Sequence, residues 1–378
     1  MKRYLTPLIE KDLSEKMVFL GGPRQVGKTT LALGLIDGAD ETHPAYLSWD
    51  DPASQRLLLG GGLPAEQPLV ILDEIHKYKG WRNLVKGYYD RHKSQRRFLV
   101  TGSARLDHYR RGGDSLQGRF HYFRLHPLSL HEINPEPQPA DLEALLQFGG
   151  FPEPFLKQDS RHWKRWQRER QSRVIQEDLI NLEHVKEVSQ LQLLAQLLPD
   201  RVGSVLSIAN LKQDLSVAFE TADKWVTIFE NLYFCFRLMP YGLTQLRAVK
   251  KERKLYLWDW SLCKNTAARF ENLVASHLLK YCHRCEDTDG DEMSLRFLRD
   301  AVGRELDFVV LRNGKPEFAV ECKTGSGALS KNIRYFASRI SIPRYFQVHL
   351  DPDGSDTEWA DSKARILPFL KFCQLYRL

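Results

Sequence analysis

The chain has 378 residues, 42% hydrophobic and 27% charged, the balance of a globular protein with room for two or three domains. No run of about 18 apolar residues occurs, which excludes a helical membrane span, and the opening Met1-Lys2-Arg3-Tyr4-Leu5-Thr6-Pro7 lacks the apolar core of a secretory signal, so a cytoplasmic protein is expected. A net charge of +7 suits a polyanionic partner such as nucleic acid.

The first 130 residues alternate apolar runs with polar, helix-forming stretches, which predicts an α/β fold with a parallel sheet and crossover helices. Strands are expected over Lys16–Leu20, Ala45–Trp49, Leu69–Leu72, Arg97–Val100 and Tyr122–Leu125. A Gly-rich turn and a helix over Lys28–Ile36 follow the first of them. The Pro-rich Asn134–Pro139 marks an expected boundary. Helical patterns then run through Leu142–Phe148 and, after Gly149-Gly150 breaks the pattern, through the basic Arg161–Arg173. Two further helices, Ile208–Leu215 and Thr221–Leu232 with Thr221 as N-cap, precede strand-like Tyr233–Leu238, the order of a winged helix-turn-helix. The last third carries strand-like Lys254–Trp258, an amphipathic helix over Phe270–Leu279, and strand-like Leu295–Arg299, Glu305–Leu311 and Phe318–Cys322. Asn313-Gly314 is a hairpin turn signal between the last two. The expected division is 1–135, 140–250 and 251–378.

Gly22-Pro23-Arg24-Gln25-Val26-Gly27-Lys28-Thr29 fits G-x-x-x-x-G-K-[ST] at every fixed position, with a strand before it and a helix after it. Its glycines let backbone N–H groups curl around phosphate oxygens. Lys28 is expected to reach the β- and γ-phosphates, and Thr29 to ligand Mg²⁺. Leu69-Val70-Ile71-Leu72-Asp73-Glu74 is a buried strand ending in two carboxylates, at the strand end where open parallel sheets bind ligands. Asp73 would hold the Mg²⁺ and Glu74 would orient the attacking water, which favours ATP hydrolysis over mere binding. Thr101 or Ser103, at the end of the next strand, would sense the γ-phosphate or cap a helix or turn. Arg119 is a candidate arginine finger, with Arg105 and Arg110 competing for the role and a surface ion pair as the plainer alternative.

A second acidic constellation stands near the C-terminus. Asp307 and Glu321-Cys322-Lys323 fall on two strands joined by the Asn313-Gly314 hairpin, and Glu321 and Lys323 share one face of their strand. This is the D…E-x-K layout of metal-dependent nucleases: Asp307 and Glu321 would hold Mg²⁺ and Lys323 would position the attacking water. Glu271, on the Phe270–Leu279 helix, is a possible further ligand. Cys282-His283-Arg284-Cys285 has zinc-ligand spacing and His277 lies nearby, but no second Cys pair exists. Two partly buried, reduced thiols near a strand are expected instead.

Together these residues resemble the prokaryotic AAA-type ATPases that carry a C-terminal domain of unknown function, number 4143. The marks are Gly22–Leu31, Leu72-Asp73-Glu74-Ile75, Leu99–Ser103, Ser115-Leu116-Gln117-Gly118-Arg119, Gly149–Glu153, Phe270-Glu271-Asn272, Arg299-Asp300, Glu305–Phe308 and Glu321-Cys322-Lys323. They run along nearly the whole chain. The resemblance implies an AAA-type ATPase domain with Thr30 in its nucleotide motif, a winged-helix segment, a restriction-endonuclease-like C-terminal domain, and Mg²⁺-ATP as ligand. Many relatives have eroded nuclease residues; this chain keeps Asp307, Glu321 and Lys323, and shows Cys322 where Val or Ile is usual.

The Arg161–Arg173 helix could follow a phosphate backbone, with Trp163 or Trp166 stacking on bases; a solvated helix with packed Trp side chains is the plainer alternative. Lys250–Lys254 would form a wing tip, while the acidic, aromatic Thr221–Leu232 helix argues against sequence-specific groove reading. The resulting expectation is a Mg²⁺-dependent ATPase acting on branched or single-stranded DNA. Its alternatives are a regulatory switch binding a protein partner and an ATP-gated nuclease. A finger acting across subunits would require a homo-oligomer.

Overall fold

The computed structural model describes residues 2–36, 39–65, 67–102, 116–174, 187–242 and 253–378. The chain divides into two compact units, Met1–His126 and Pro127–Leu378.

In the first unit, helix α1 (Thr6–Asp12) precedes β1 (Met17–Gly21), α2 (Lys28–Leu33), β2 (Tyr46–Ser48), α3 (Pro52–Leu59), β3 (Leu69–Asp73), α4 (Trp81–His92), β4 (Arg97–Thr101) and β5 (Phe120–Arg124). Every strand pair is parallel, in the order β2-β3-β4-β1-β5. β1 and β3 are buried at every position, as continuous apolar strands covered on both faces must be. One face packs Phe19, Val70, Leu72, Phe98 and Val100 against Trp81, Val85 and Tyr88 of α4. α2 stops at Leu33, short of the expected Ile36, with Gly34 as its C-cap; glycine is a poor helix former.

The second unit opens with α5 (Leu130–Ile133), α6 (Pro139–Phe148), α7 (Pro152–Lys157) and α8 (Ser160–Arg173). The division falls at Pro127, ahead of the Pro-rich stretch. Leu128 and Leu130 are buried in this unit, and Leu128 N–H donates to Gly150 O at 2.7 Å. Then come α9 (Val188–Leu197), α10 (Ile208–Leu215), α11 (Phe219–Asn231), β6 (Cys235–Pro240), β7 (Lys254–Leu257), α12 (Thr266–Asp289), β8 (Met293–Arg299), β9 (Glu305–Arg312), β10 (Lys315–Lys323), α13 (Lys331–Ala337), β11 (Tyr345–His349), β12 (Thr357–Trp359), β13 (Ala364–Pro368) and α14 (Phe369–Tyr376).

α11 starts at Phe219 behind Ala218, so Thr221 lies inside its first turn and is not the cap. α12 is far longer than the expected Phe270–Leu279. Asn265 caps it, its side chain accepting from Ala268 N–H, and Tyr281, Cys282 and Cys285 carry the buried face into the last turns. The strands form one eight-stranded mixed sheet, β12-β13-β11-β10-β9-β8-β6-β7. The β6–β7 pair therefore continues the same sheet as Asp307 and Glu321, joined through β6 and β8 at Met239 and Arg296. The segments expected as separate domains on either side of residue 250 share one sheet and one unit. Asn313 and Gly314 both take the left-handed conformation, φ 51° and 75°, as their hairpin requires.

Candidate functional site

The phosphate-binding loop leaves β1 at Gly21 and enters α2 at Lys28. Gly22 has φ 144°, and a Cβ there would stand 2.4 Å from Leu125 O, so no larger residue fits. Gly27 is left-handed at φ 95° and Gln25 at 61°. Buried Arg3 braces the loop from behind, its guanidinium donating to Val26 O at 2.6 Å and His126 O at 2.5 Å. Lys28 is buried and its Nζ donates to Gly22 O at 3.1 Å and Pro23 O at 2.8 Å. The ammonium is thereby folded into the loop's own concavity. Arg24 is half-buried and Thr30 exposed.

Strand order brings the second half of the site to this loop. Asp73 ends β3 opposite Thr101 of β4, and Thr101 pairs with Leu20 of β1. Buried Asp73 accepts through Oδ1 from Thr101 Oγ1. Its Oδ2 accepts from Thr29 Oγ1 at 3.4 Å and from Tyr46 OH at 2.6 Å. Thr29 and Thr101 thus both meet the Asp73 carboxylate. Tyr46 is a participant that no motif signals; it reaches Asp73 from the edge strand β2. Burial, then the bond and charge of Asp73, push its phenol well above the usual range.

Glu74 follows in the left-handed conformation at φ 54°, its N–H held by Thr101 O at 3.0 Å. A non-glycine residue there is strained. Its Oε2 is buried without a hydrogen bond, 3.6 Å from His76 Nε2 and 3.7 Å from Lys77 Nζ. The donor set fits Mg²⁺-ATP: a cradle with inward ammonium, a hydroxyl–carboxylate pair of the kind that holds Mg²⁺ on phosphates, and a carboxylate oxygen with free acceptor capacity.

Arg119 sits elsewhere. Its carbonyl accepts from Met17 N–H at the start of β1, whereas the loop begins at the other end, where Gly21 pairs with Arg124. One strand length, roughly 16 Å, separates the two ends. Its guanidinium makes a two-pronged pair with Asp90 at 2.8 and 3.2 Å. Ser103, Arg105 and Arg110 lie outside the described residues.

The second acidic constellation is assembled differently from the expectation. Cys322 N–H donates to Asp307 Oδ2 at 2.8 Å, across the register that sets Phe308 opposite Val320. Lys323 Nζ donates to Glu321 Oε1 at 2.8 Å, and Ser330 Oγ to the same oxygen at 3.3 Å. Glu271 comes from α12, where Asn272 donates to Leu257 O and accepts from Leu257 N–H, each at 2.7 Å, fastening helix to strand. Burial, then the charge of Asp307, raises both Glu271 and Glu321 to about 7. The residue that sequence reasoning missed is Lys254, 1% exposed on β7. Its Nζ lies 3.2 Å from Glu271 Oε1, 2.5 Å from Glu305 Oε1 and 3.7 Å from Asp307 Oδ1. Burial opposes its charge, but Glu271, Asp307 and Glu305 outweigh that and raise its pKa. Among the described residues, no three His, Cys, Asp or Glu side chains are placed together to hold a metal ion. The expected ligand set of Glu271, Asp307 and Glu321 is not brought together as one.

Cys282 and Cys285 are buried on α12, and Cys285 Sγ lies 3.6 Å from Arg312 Nη2 at the end of β9. His277 is a buried framework residue: Nε2 accepts from Leu130 N–H at 3.1 Å, Nδ1 bonds Leu273 O at 2.8 Å, and burial lowers its pKa to about 3. On α8, Trp166 is 2% exposed and packs on Phe151, so it is turned inward, and half-buried Trp163 donates through Nε1 to Ser261 Oγ at 3.2 Å. Arg161, Lys164, Arg165 and Arg168 remain exposed, at the spacing of one helix face.

Residues 14–134 match the family described as an AAA domain, 139–273 a domain of unknown function (8612), and 267–358 the domain of unknown function 4143. The chain thus carries the AAA domain and the C-terminal domain of its sequence resemblance, and the AAA domain supports nucleotide-dependent ATPase activity. Uncharacterized proteins of Mycobacterium tuberculosis and Mycobacterium bovis are each 23% identical over 328 residues, 84% of this chain and 73% of theirs. Among solved structures, the Orc1 protein of Aeropyrum pernix in complex with DNA aligns at 11% identity and TM-score 0.36, covering 74% of this chain and 94% of that one. The Holliday junction branch migration motor RuvB of Thermotoga maritima aligns at 16% identity and TM-score 0.31, covering 65% and 91%.

Proposed function

We propose that this chain is a Mg²⁺-dependent, cytoplasmic ATPase that binds DNA and couples ATP hydrolysis to DNA remodelling or processing. The observation that carries the ATPase reading is Asp73, which accepts from both Thr29 and Thr101 beside the loop holding Lys28. In this reading Lys28 leaves the carbonyls of Gly22 and Pro23 for phosphate oxygens. Thr29 and Asp73 would hold Mg²⁺, which neutralises charge between the phosphates. Glu74 orients and activates the attacking water through its unbonded Oε2. Thr101 holds Asp73 in place and reports its state to β4. Arg119 lies too far from its own loop to act there, so as a finger it would serve a neighbouring copy in a homo-oligomer.

The DNA reading rests on the net charge of +7 and on the exposed face of α8. Helices α10 and α11 followed by β6 and β7 support a winged-helix reading. The exposed face of α11 carries Glu220 and Asp223, and Asp223 and Glu230 hold Arg237, so groove reading by this helix is disfavoured and backbone contact through α8 is favoured. The hairpin of Asp307 and Glu321 supports a nuclease-like fold used for binding.

The test is the ATPase rate of the purified chain with junction, duplex and single-stranded DNA, Lys28→Ala serving as blank. Stimulation by one form supports the proposal. Clear basal hydrolysis with a flat response and no DNA binding at low salt would replace DNA by a protein partner. No hydrolysis above the blank would sink the ATPase reading itself.

A further inference from the structure

The D…E-x-K layout calls for a divalent cation among Glu271, Asp307 and Glu321. A hard divalent ion bound by carboxylates sits about 2.0–2.6 Å from their oxygens and attracts them as a group. Here a side chain of the protein itself stands beside two of the three, Glu271 and Asp307. Lys254 points its ammonium between the helix carboxylate and the strand carboxylates, at 3.2 Å from Glu271, 2.5 Å from Glu305 and 3.7 Å from Asp307. Further donors reach the same carboxylates. Glu271 Oε1 accepts from Tyr256 OH at 2.8 Å, Asp307 Oδ2 from the Cys322 N–H, and Glu321 Oε1 from Lys323 and Ser330. Gly203 closes the side behind Glu271: a Cβ there would come within 3.0 Å of the carboxylate. Only Glu321 Oε2 in this group is buried without a hydrogen bond.

The ammonium is held there by design of the sheet, not by a flexible surface stem. Lys254 pairs with Leu238 on β6 and bridges Val205. The strand is clamped to α12 by Asn272, the residue next to Glu271. Lys254 and Glu271 are therefore set by the same clamp.

We infer that Lys254 is a resident counter-cation that occupies the acidic centre of the C-terminal unit in place of a divalent metal. Two cations cannot share one set of carboxylates without strong mutual repulsion in a site this buried. The centre is then a permanently closed ion cluster that shapes the unit, and a metal-activated water has no place beside Lys323. Removal of the ammonium leaves Glu271, Glu305 and Asp307 without their shared cation, which is the condition for recruiting a metal ion.

The experiment is Mn²⁺ binding to the full chain without nucleotide, followed by loss of the free-ion electron paramagnetic resonance signal. Asp307→Asn separates this centre from the P-loop. Wild type should show no Asp307-dependent Mn²⁺ site at concentrations up to about 1 mM. Lys254→Ala should gain one, at least about tenfold tighter than any wild-type binding, with a melting temperature that rises on adding Mn²⁺. Both gains should vanish in the Lys254→Ala, Asp307→Asn double variant. An Asp307-dependent site in wild type overturns the inference, as does a folded Lys254→Ala chain that gains none. Should Lys254→Ala not fold, Lys254→Met keeps most of the packing, and the wild-type titration decides alone if both fail. The readout needs neither ATP nor DNA, so it stands or falls separately from the proposed function.

Discussion

Tyr46 shows how a single side chain can matter to a site that its neighbours in sequence do not announce. Its hydroxyl donates to the same Asp73 oxygen that faces Thr29, so it aligns the carboxylate without touching the nucleotide motif. Tyr46→Phe should lower kcat about tenfold, the effect of a misaligned ligand, with ATP affinity changed little; an unaltered kcat would remove Tyr46 from the site. Glu271 makes a second prediction. Burial and Asp307 raise it from 4.5 to about 7, so the folded state binds its proton more tightly than the unfolded chain. Its contribution to stability is fully present below about pH 4.5 and is lost as pH rises through about 7. Lys254 and Tyr256 still donate to a glutamine at this position. Glu271→Gln should therefore match wild type near pH 5 and exceed it near pH 8 by on the order of 1–3 kcal/mol, measured by urea denaturation at both values. Equal stabilities across the range would contradict the shift.

At the scale of elements, α8 divides its side chains by face. Trp166 and Arg170 are buried, with the Arg170 guanidinium 4.0 Å over the Phe151 ring, while Arg161, Lys164, Arg165 and Arg168 face solvent. A basic composition spread along the segment thus resolves into a packed side and a charged stripe. If the stripe follows a phosphate backbone, replacing its four cations by Ala should flatten the slope of log K against log salt by about 3 to 4. Fluorescence anisotropy of labelled DNA measures this, and an unchanged slope would move the contact elsewhere. α12 teaches the complementary lesson: the expected helix stopped at Leu279, whereas Cys282 and Cys285 continue its buried face.

At the scale of the molecule, Arg119 separates a nucleotide site complete in itself from one that needs a neighbour. It stands at the opposite sheet end from the P-loop and is paired with Asp90. If it serves the next subunit, hydrolysis per chain should rise with protein concentration. Arg119→Ala should be slowed by roughly 10³-fold or more. Mixing Arg119→Ala with Lys28→Ala should restore part of the rate, since each supplies what the other lacks. A concentration-independent rate with no recovery on mixing would confine Arg119 to its ion pair.

What could be read from the sequence was local. The loop of Gly22–Thr29, the acidic strand end at Asp73 and Glu74, and the Asn313-Gly314 hairpin are each built from consecutive residues whose backbone conformations and side-chain alternation follow from their types. Those segments identify the phosphate cradle and the two carboxylate-bearing strands before any fold is known. Strand order and register settled the rest. Tyr46 meets Asp73 only because β2 lies beside β3, and Lys254 meets Glu271 and Asp307 only because β6 and β7 join the C-terminal sheet. In the sequence Lys254 ends a Lys-rich run that reads as a wing tip. Burial among carboxylates gives it a different role, because a charge withdrawn from water must find its partners in the tertiary structure.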